Sequence, residues 1–254
     1  MSVSDHIRAA QAELKTAQSL LSKALATEKS RRRGPIVRQL YDVRRMLDPS
    51  LPYASQAGQD MVLDGLFQKK TGGTFVDIGG YDGVTGSNTL FFEQNRGWTG
   101  VLVEPMPDQL AKAGAARKCP CLGYAAADRD GEATFIAVTE GFTQMSGLEA
   151  TYDPSMLTRV RNDPRHAESA ITVQTRMISS ILKEAALTEP DFISLDIEGG
   201  ELAALRVFPF DRHAVRAWAI ENNTGTPEIA QLMKANGYDL VEFCGPDEIY
   251  LRRS

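Results

Sequence analysis

The sequence predicts an α/β chain: a mostly parallel sheet of seven strands with helices on both faces, preceded by an N-terminal helical extension. Three observations carry this. Five short apolar runs alternate with helix and loop signals, the pattern of a parallel sheet covered on both sides. Two further runs near the end flank Cys244-Gly245-Pro246-Asp247, a turn sequence. The first fifty residues hold ten Lys/Arg against five Asp/Glu while the remainder hold 18 against 28, so the two parts differ in the sign of their charge. With 254 residues, 43% of them hydrophobic, the chain supports one substantial core and an appendage.

Residues 1–50 form the extension. Ile7, Ala10, Leu14, Ala17, Leu21 and Ala24 recur at alternating spacings of three and four, one helical stripe of heptad character. The stripe predicts a homo-oligomer through this helix, with packing on the chain's own globular part as the alternative. Arg31, Arg32 and Arg33, followed by Arg38, Arg44 and Arg45, read as a solvated helix face, the other reading being a site for an acidic partner or lipid headgroups.

Residues 51–254 form the main domain. Thr74 to Ile78 reads as a buried strand ending in Gly79-Gly80, Gly100 to Val103 as a second ending at Glu104, and Cys121 to Ala126 as a third. Phe192 to Leu195 ends at Asp196 and Ala217 to Ile220 ends at Glu221. Tyr238 to Phe243 and Glu248 to Leu251 make an antiparallel pair at the end of the sheet, and Thr134 to Val138 with Ile171 to Met177 an accessory pair. Between the latter, residues 139–170 are polar and irregular, and their length predicts a substrate loop or lid.

A net charge of −5 opposes the basic face that nucleic-acid binding requires. Cys119, Cys121 and Cys244 match neither a disulfide framework nor a zinc ribbon, which predicts reduced thiols and a cytoplasmic protein. No run approaches eighteen apolar residues, and the chain opens without a secretory pattern.

Ligands of open α/β sheets bind beyond the carboxyl ends of the strands, where the informative acids collect. Asp77 closes the first strand, Gly79 and Gly80 admit a ligand close to the backbone, and Asp82-Gly83 continue the turn. No Gly-x-x-x-x-Gly-Lys loop occurs and the glycines fit no Gly-x-Gly-x-x-Gly register, which disfavours a nucleoside triphosphate or dinucleotide. Glu104 stands where a carboxylate can accept hydrogen bonds from both ribose hydroxyls. Acids without a phosphate cradle suit the ammonium and sulfonium of S-adenosylmethionine. Taken singly, each acid reads equally as a cap or turn residue.

The motifs SQAGQD (Ser55 to Asp60), FVDIGGYDGVTGSNT (Phe75 to Thr89), GWTGVLVEPMP (Gly97 to Pro107), AADRDGEATF (Ala126 to Phe135), ISLDIEGGE (Ile193 to Glu201) and WAIENN (Trp218 to Asn223) resemble the FkbM family of S-adenosylmethionine-dependent methyltransferases. The resemblance implies a Rossmann-like class I methyltransferase fold, S-adenosylmethionine as cofactor and, usually, O-methylation. Carried over by position, it implies that Asp77, Gly79 and Gly80 line the methionyl part of the cofactor, that Glu104 with Pro105 holds the ribose, that Gln56, Gln59 and Asp60 close over the methionine end, and that Ala127 and Asp128 meet the adenine edge. Ser87, Asn88 and Thr89 open the following helix, as caps or as ligand contacts.

Methyl transfer to an alcohol needs in-line alignment, exclusion of water and removal of a proton. Asp196 is the candidate general base, with Glu198 and Glu201 on the following turn. Asp196, Glu221 and Asn222 together offer three oxygen donors for a Mg2+ ion, a metal-free role for them being the alternative. His166, in the irregular segment, is a candidate base or substrate contact. The expected acceptor is a small-molecule or glycan hydroxyl. Methylation of a nitrogen or carboxylate by the same fold, and a non-catalytic scaffold of a biosynthetic complex, are the competing readings.

Overall fold

A computed structural model of the chain describes residues 2–253. Two helices come first, α1 (Val3–Thr27) and α2 (Arg33–Leu47), and they pack on each other. Ser2 and Asp5 close the start of α1 as a reciprocal capping box. The apolar stripe is only half covered by α2: Leu14, Ala17 and Leu21 are half-buried, while Val3 and Ile7 keep 77% and 55% of their surface exposed. The opposite face of α2 buries Val37, Leu40 and Tyr41.

The arginine run is a solvated face only in part: Arg32, Arg38 and Arg45 are exposed, but Arg31 and Arg33 are not. Arg33 forms a bidentate pair with Glu242 at 2.6 Å, and Arg31 bonds Glu248 and two backbone carbonyls, so both fasten the helical hairpin to the end of the chain. Each finds a carboxylate more than 200 positions away, a pairing that local charge patterning does not contain. Arg32 between them is exposed.

After α3 (Gln59–Leu66), the main sheet takes the order β10-β11-β9-β8-β1-β2-β3. Its strands are β1 (Thr74–Ile78), β2 (Thr99–Val103), β3 (Cys121–Leu122), β8 (Phe192–Leu195), β9 (Ala217–Glu221), β10 (Tyr238–Cys244) and β11 (Asp247–Arg252). The first five named are parallel, and β10 and β11 are antiparallel, as expected. From β1 the chain builds outward through α4 (Leu90–Arg96), β2 and α5 (Pro107–Ala116) to β3, then returns to place β8 on the other flank of β1. The β1/β8 boundary is therefore the point where strand order reverses, and a crevice opens there at the carboxyl ends.

A second sheet, ordered β4-β7-β5-β6, stands beside the first. It holds β4 (Ala125–Ala126), β5 (Gly131–Glu140), β6 (Gly147–Leu148) and β7 (Ala167–Arg176). The third strand expected over Cys121 to Ala126 is thus two strands in two sheets. Tyr124 N–H donates to the Leu122 carbonyl in a tight turn, which sends the second half to pair with β7. The accessory pair is longer than its alternation showed, running from Gly131 to Glu140 against Ala167 to Arg176. Within the expected loop lie β6 and α6 (Pro154–Arg161), capped by Asp153.

The remaining helices are α7 (Ile178–Glu184), α8 (Glu201–Arg206) and α9 (Pro227–Ala235). Alternation through the central strands feeds a core on each face. Trp218 and Ile220 of β9 join Ile181, Leu205 and Met233 on the α7–α9 side, while Ala217 and Ala219 join Leu63, Phe92 and Phe192 on the other. Phe92 is fully buried against Phe67, Trp98 and Phe192, so its truncation to alanine would cost about 3–5 kcal/mol. Among the described residues no helix is long and apolar enough to cross a membrane.

Candidate active site

The carboxyl ends of β1, β2, β8 and β9 open on one cleft, of about 1100 Å³ counting its solvent-filled mouth. Asp77, Gly79, Gly80, Glu104 and Pro105 line it, as does Gln56 from the SQAGQD segment. A Cβ at Gly79 would fall 1.6 Å from the Asp196 carbonyl oxygen, and one at Gly80 would fall 2.4 Å from the Leu102 side chain. Glycine here is required by the closeness of the strand ends as much as by a ligand.

Asp77 is braced from behind. Its carboxylate accepts from the hydroxyls of Ser87 and Thr89, and Arg117 Nη1 lies 3.5 Å away. Arg117, its side chain wholly buried just past α5, also donates to Glu93 at 3.0 Å and to the Gly83 carbonyl at 3.2 Å. Sequence reading missed this arginine, because an Arg-Lys pair at a helix end reads as surface charge.

Glu104 accepts from the backbone N–H groups of Tyr81 at 3.0 Å and Met106 at 2.8 Å. Burial pushes its carboxyl up to about 7 against the pull of those two donors. Asn88 donates to Ser194 at 3.0 Å, and its Oδ1 is buried without a hydrogen-bond partner at the cleft wall. Further round, Met106, Tyr124, Ala125, Ala126 and Phe135 make an apolar wall. The residues expected there, Ala127 and Asp128, do not line the cleft: Ala127 N–H pairs with the Arg176 carbonyl and Asp128 is exposed. The division of the third strand moved the wall by two positions.

Gln59 and Asp60 are structural neighbours of the site and not part of its wall. Asp60, fully buried, accepts from the N–H groups of Ala54, Ser55 and Met61 and from the Ser55 hydroxyl, which leaves it no reach toward a ligand ammonium. Gln59 Nε2 donates to Asp247 at 2.9 Å.

Asp196, Glu198 and Glu221 each place a carboxylate oxygen within 4.8 Å of the others. All three line the cleft, and no Lys or Arg does. Burial, then the charge of Asp247, pushes Asp196 up to about 8. Burial and the neighbouring Asp196 raise Glu198 and Glu221 well above the usual carboxylate range, and burial pushes Asp247 up to about 6. Such a set holds protons, or a hard cation that replaces them.

The cluster differs from the expected one in its third member. Asn222 faces away: its Nδ2 donates to Glu248 and to the Thr226 carbonyl, and its Oδ1 accepts from Thr226 N–H. Asn222 stands just past the end of β9, where its amide is spent on Glu248 and on the backbone of Thr226. Glu198 takes the place instead, from a left-handed backbone conformation with φ +57°. Glu201 accepts from the N–H groups of Ile197 and Gly199 and ties that turn together. His166 is not brought to the site; its Nε2 lies 2.9 Å from Glu168 at the start of β7. The cover of the cleft is the segment Thr143 to Ser146, with the Tyr81 and Thr143 hydroxyls 2.7 Å apart across it.

Solved structures with a similar course of chain include the methyltransferase FkbM from Methylobacillus flagellatus KT, at 16% identity and a TM-score of 0.47, covering 93% of this chain and 58% of that one. This chain therefore spans somewhat over half the length of that protein. A TehB-like SAM-dependent methyltransferase from Corynebacterium glutamicum is 12% identical, with a TM-score of 0.41 over 86% of this chain and 100% of that one. A SAM-dependent methyltransferase from Geobacter sulfurreducens, solved with S-adenosyl-L-homocysteine, is 11% identical, with a TM-score of 0.36 over 76% and 68%. No curated protein matches. The family described as the methyltransferase FkbM domain matches residues 77–240, from the end of β1 into β10 and well over half of the chain. The strand order, the crevice at the β1/β8 switch and this match agree: the chain has the class I methyltransferase fold and belongs to the FkbM methyltransferase domain family.

Proposed function

We propose that the chain transfers the methyl group of S-adenosylmethionine to a hydroxyl oxygen of a sugar, glycan or secondary metabolite. The observation that supports it most is the combination, in one cleft without Lys or Arg, of buried Glu104, the unpartnered Asn88 Oδ1 and the Asp196–Glu198–Glu221 cluster. A cationic adenosyl ligand fits those groups; a phosphate does not. S-Adenosylmethionine supplies a methyl group made electrophilic by the sulfonium.

The residues divide the work. Glu104 accepts from the ribose hydroxyls, the wall from Met106 to Phe135 covers the adenine, and Asn88 Oδ1 with Gln56 receives the ammonium end. The Thr143–Ser146 cover, latched to Tyr81, excludes water from the reacting centre. Asp196 in its ionised form takes the proton of the acceptor hydroxyl; burial raises its proton affinity to about 8, which makes that form a stronger base than an ordinary carboxylate and a scarcer one at neutral pH. Asp196, Glu198 and Glu221 would hold a divalent cation such as Mg2+, which lowers the pKa of a bound hydroxyl. The exposed Ile7 of the α1 stripe, with Val3 beside it one turn earlier, supports self-association through that helix.

Calorimetric titration with S-adenosylmethionine and S-adenosylhomocysteine, with and without magnesium, tests the reading. Glu104→Ala weakens binding about 10- to 100-fold, as loss of charge-assisted hydrogen bonds to two hydroxyls requires. Absence of binding by folded wild type overturns the proposal in favour of a scaffold role.

A further inference from the structure

A second cleft, of about 1010 Å³ counting its open mouth, lies against the first. Residues 150–156, leading from β6 into α6, form one bank, and residues 222–229, leading from β9 into α9, form the other. Glu198 and Glu221 line both clefts, so these two carboxylates are the partition between them. A displacement in line with the donor sulfur needs its nucleophile on the side of the methyl group away from the sulfur. The second cleft is reached from the first across Glu198 and Glu221.

Its chemistry is that of hydroxyls and amides. Thr151, Thr224, Thr226, Asn222 and Asn223 contribute to its banks, with Tyr152. Thr151 Oγ1 is buried without a hydrogen-bond partner, and Asn223 Nδ2 lies 3.3 Å from Glu198 Oε2, which ties the bank to the partition. No Lys, Arg or His lines this cleft, and the acids that do offer an anion nothing. Asp153 caps α6 through the N–H groups of Ser155 and Met156, Glu201 is bound to the backbone of its own turn, and Glu228 is paired at 3.4 Å with the exposed Arg206, which is not itself a lining residue. At the floor, a Cβ on Gly199 would stand 2.7 Å from the Thr151 carbonyl oxygen, so the turn that carries Glu198 and the bank that carries Thr151 touch directly.

We infer that this second cleft is the acceptor site, and that it takes a neutral polyhydroxylated molecule, a glycoside free of phosphate, presenting one hydroxyl to Glu198 and Glu221. The inference rests on the methyl-transfer reading above and narrows it: with no cation on Glu198 and Glu221, a phosphorylated or nucleotide-activated sugar would bring at least one negative charge against a wall lined by carboxylates and dipoles.

The test is saturation-transfer NMR on the full chain in the presence of S-adenosylhomocysteine and without divalent cations, with neutral methyl hexosides as one set of probes and hexose 1-phosphates and nucleoside diphosphate hexoses as the other. The expected result is binding of members of the neutral set only. Thr151→Val and Asn223→Ala are each expected to weaken that binding about fivefold, the loss of one hydrogen bond, with the affinity for S-adenosylhomocysteine held within twofold. Equal or tighter binding of the phosphorylated set, no binding of the neutral set, or unchanged affinity in both variants overturns the acceptor assignment while the cofactor reading stands. Failure of folded protein to bind S-adenosylhomocysteine overturns the cofactor reading, and this inference with it.

Discussion

Arg31 donates from its guanidinium to the backbone carbonyl of Asn222, the residue directly after Glu221. The same guanidinium bonds the Pro246 carbonyl at 3.0 Å and the buried carboxylate of Glu248. The helical extension thus holds the loop that directly follows one of the three clustered acids, although the extension lies outside the residues that match the family. Arg31→Met should destabilise the chain by about 1–3 kcal/mol, less than a fully buried pair because a third of Arg31 is exposed to solvent. Thermal denaturation checks this; a melting temperature equal to wild type would mean that the extension is merely tethered.

Binding of a cation to the acid cluster should release protons. Asp196 sits at about 8 and Glu198 and Glu221 are raised as well, so near pH 7 the cluster is protonated in part. A divalent ion requires the ionised forms, and its affinity should rise about tenfold per pH unit for each proton displaced. Magnesium titrations in two buffers of different ionisation enthalpy measure the proton count, and identical heats in both would refute the linkage.

Asp196→Asn should make the protein more stable at pH 8 than wild type. The sign follows from the shift: the folded state holds a proton on Asp196 that the unfolded state releases near 3.8, so stability falls as pH rises from about 4 to about 8. Asparagine removes this dependence. The gain in melting temperature should be large at pH 8 and shrink at pH 5, while methyl transfer, which uses the carboxylate, is lost. A variant less stable than wild type at pH 8 would contradict the assigned environment.

Arg117→Met should be among the most damaging single substitutions, costing about 3–5 kcal/mol, since it strands the buried carboxylates of Glu93 and Asp77. Arg117→Lys should recover little of it. One ammonium cannot serve Glu93, the Gly83 carbonyl and the Thr89 hydroxyl from one position as the guanidinium does. Urea denaturation of the two variants separates these outcomes.

The strand-end acids were legible because two simple regularities converge on them: a short apolar run marks a buried strand, and the residue that ends a parallel strand faces the ligand side. Asp77, Glu104, Asp196 and Glu221 follow from that alone. Asn222 is kept from the cluster by Glu248 and the Thr226 backbone, partners that WAIENN does not contain. Glu198 could be named as a nearby acid but not seated in the cluster, because its place depends on one left-handed residue within a turn. Arg117, Arg31 and Arg33 were illegible for a different reason. Each meets its partner through a crossing of elements far apart in the chain, and periodicity carries no record of such meetings. Tyr124 to Ala126 replaced Ala127 and Asp128 through the same kind of blindness, since one apolar run gave no sign that it would serve two sheets.

The contacts from the helical hairpin to β10 and β11 also impose an order in time. Arg33 and Glu242 are separated by 209 residues, Arg31 and Glu248 by 217. At a synthesis rate of about 5–20 residues per second, the hairpin waits about 10–40 s before its docking strands exist. During that interval Val37 and Tyr41 can already meet Ala57, Leu63 and Gly58, but Arg31 and Arg33 have no carboxylate at the end of the chain to pair with. A nascent chain stopped before β10 should leave the turn around Arg31 to Arg33 more open to proteolysis than in the finished molecule, and the added protection should appear only when the last strands leave the ribosome.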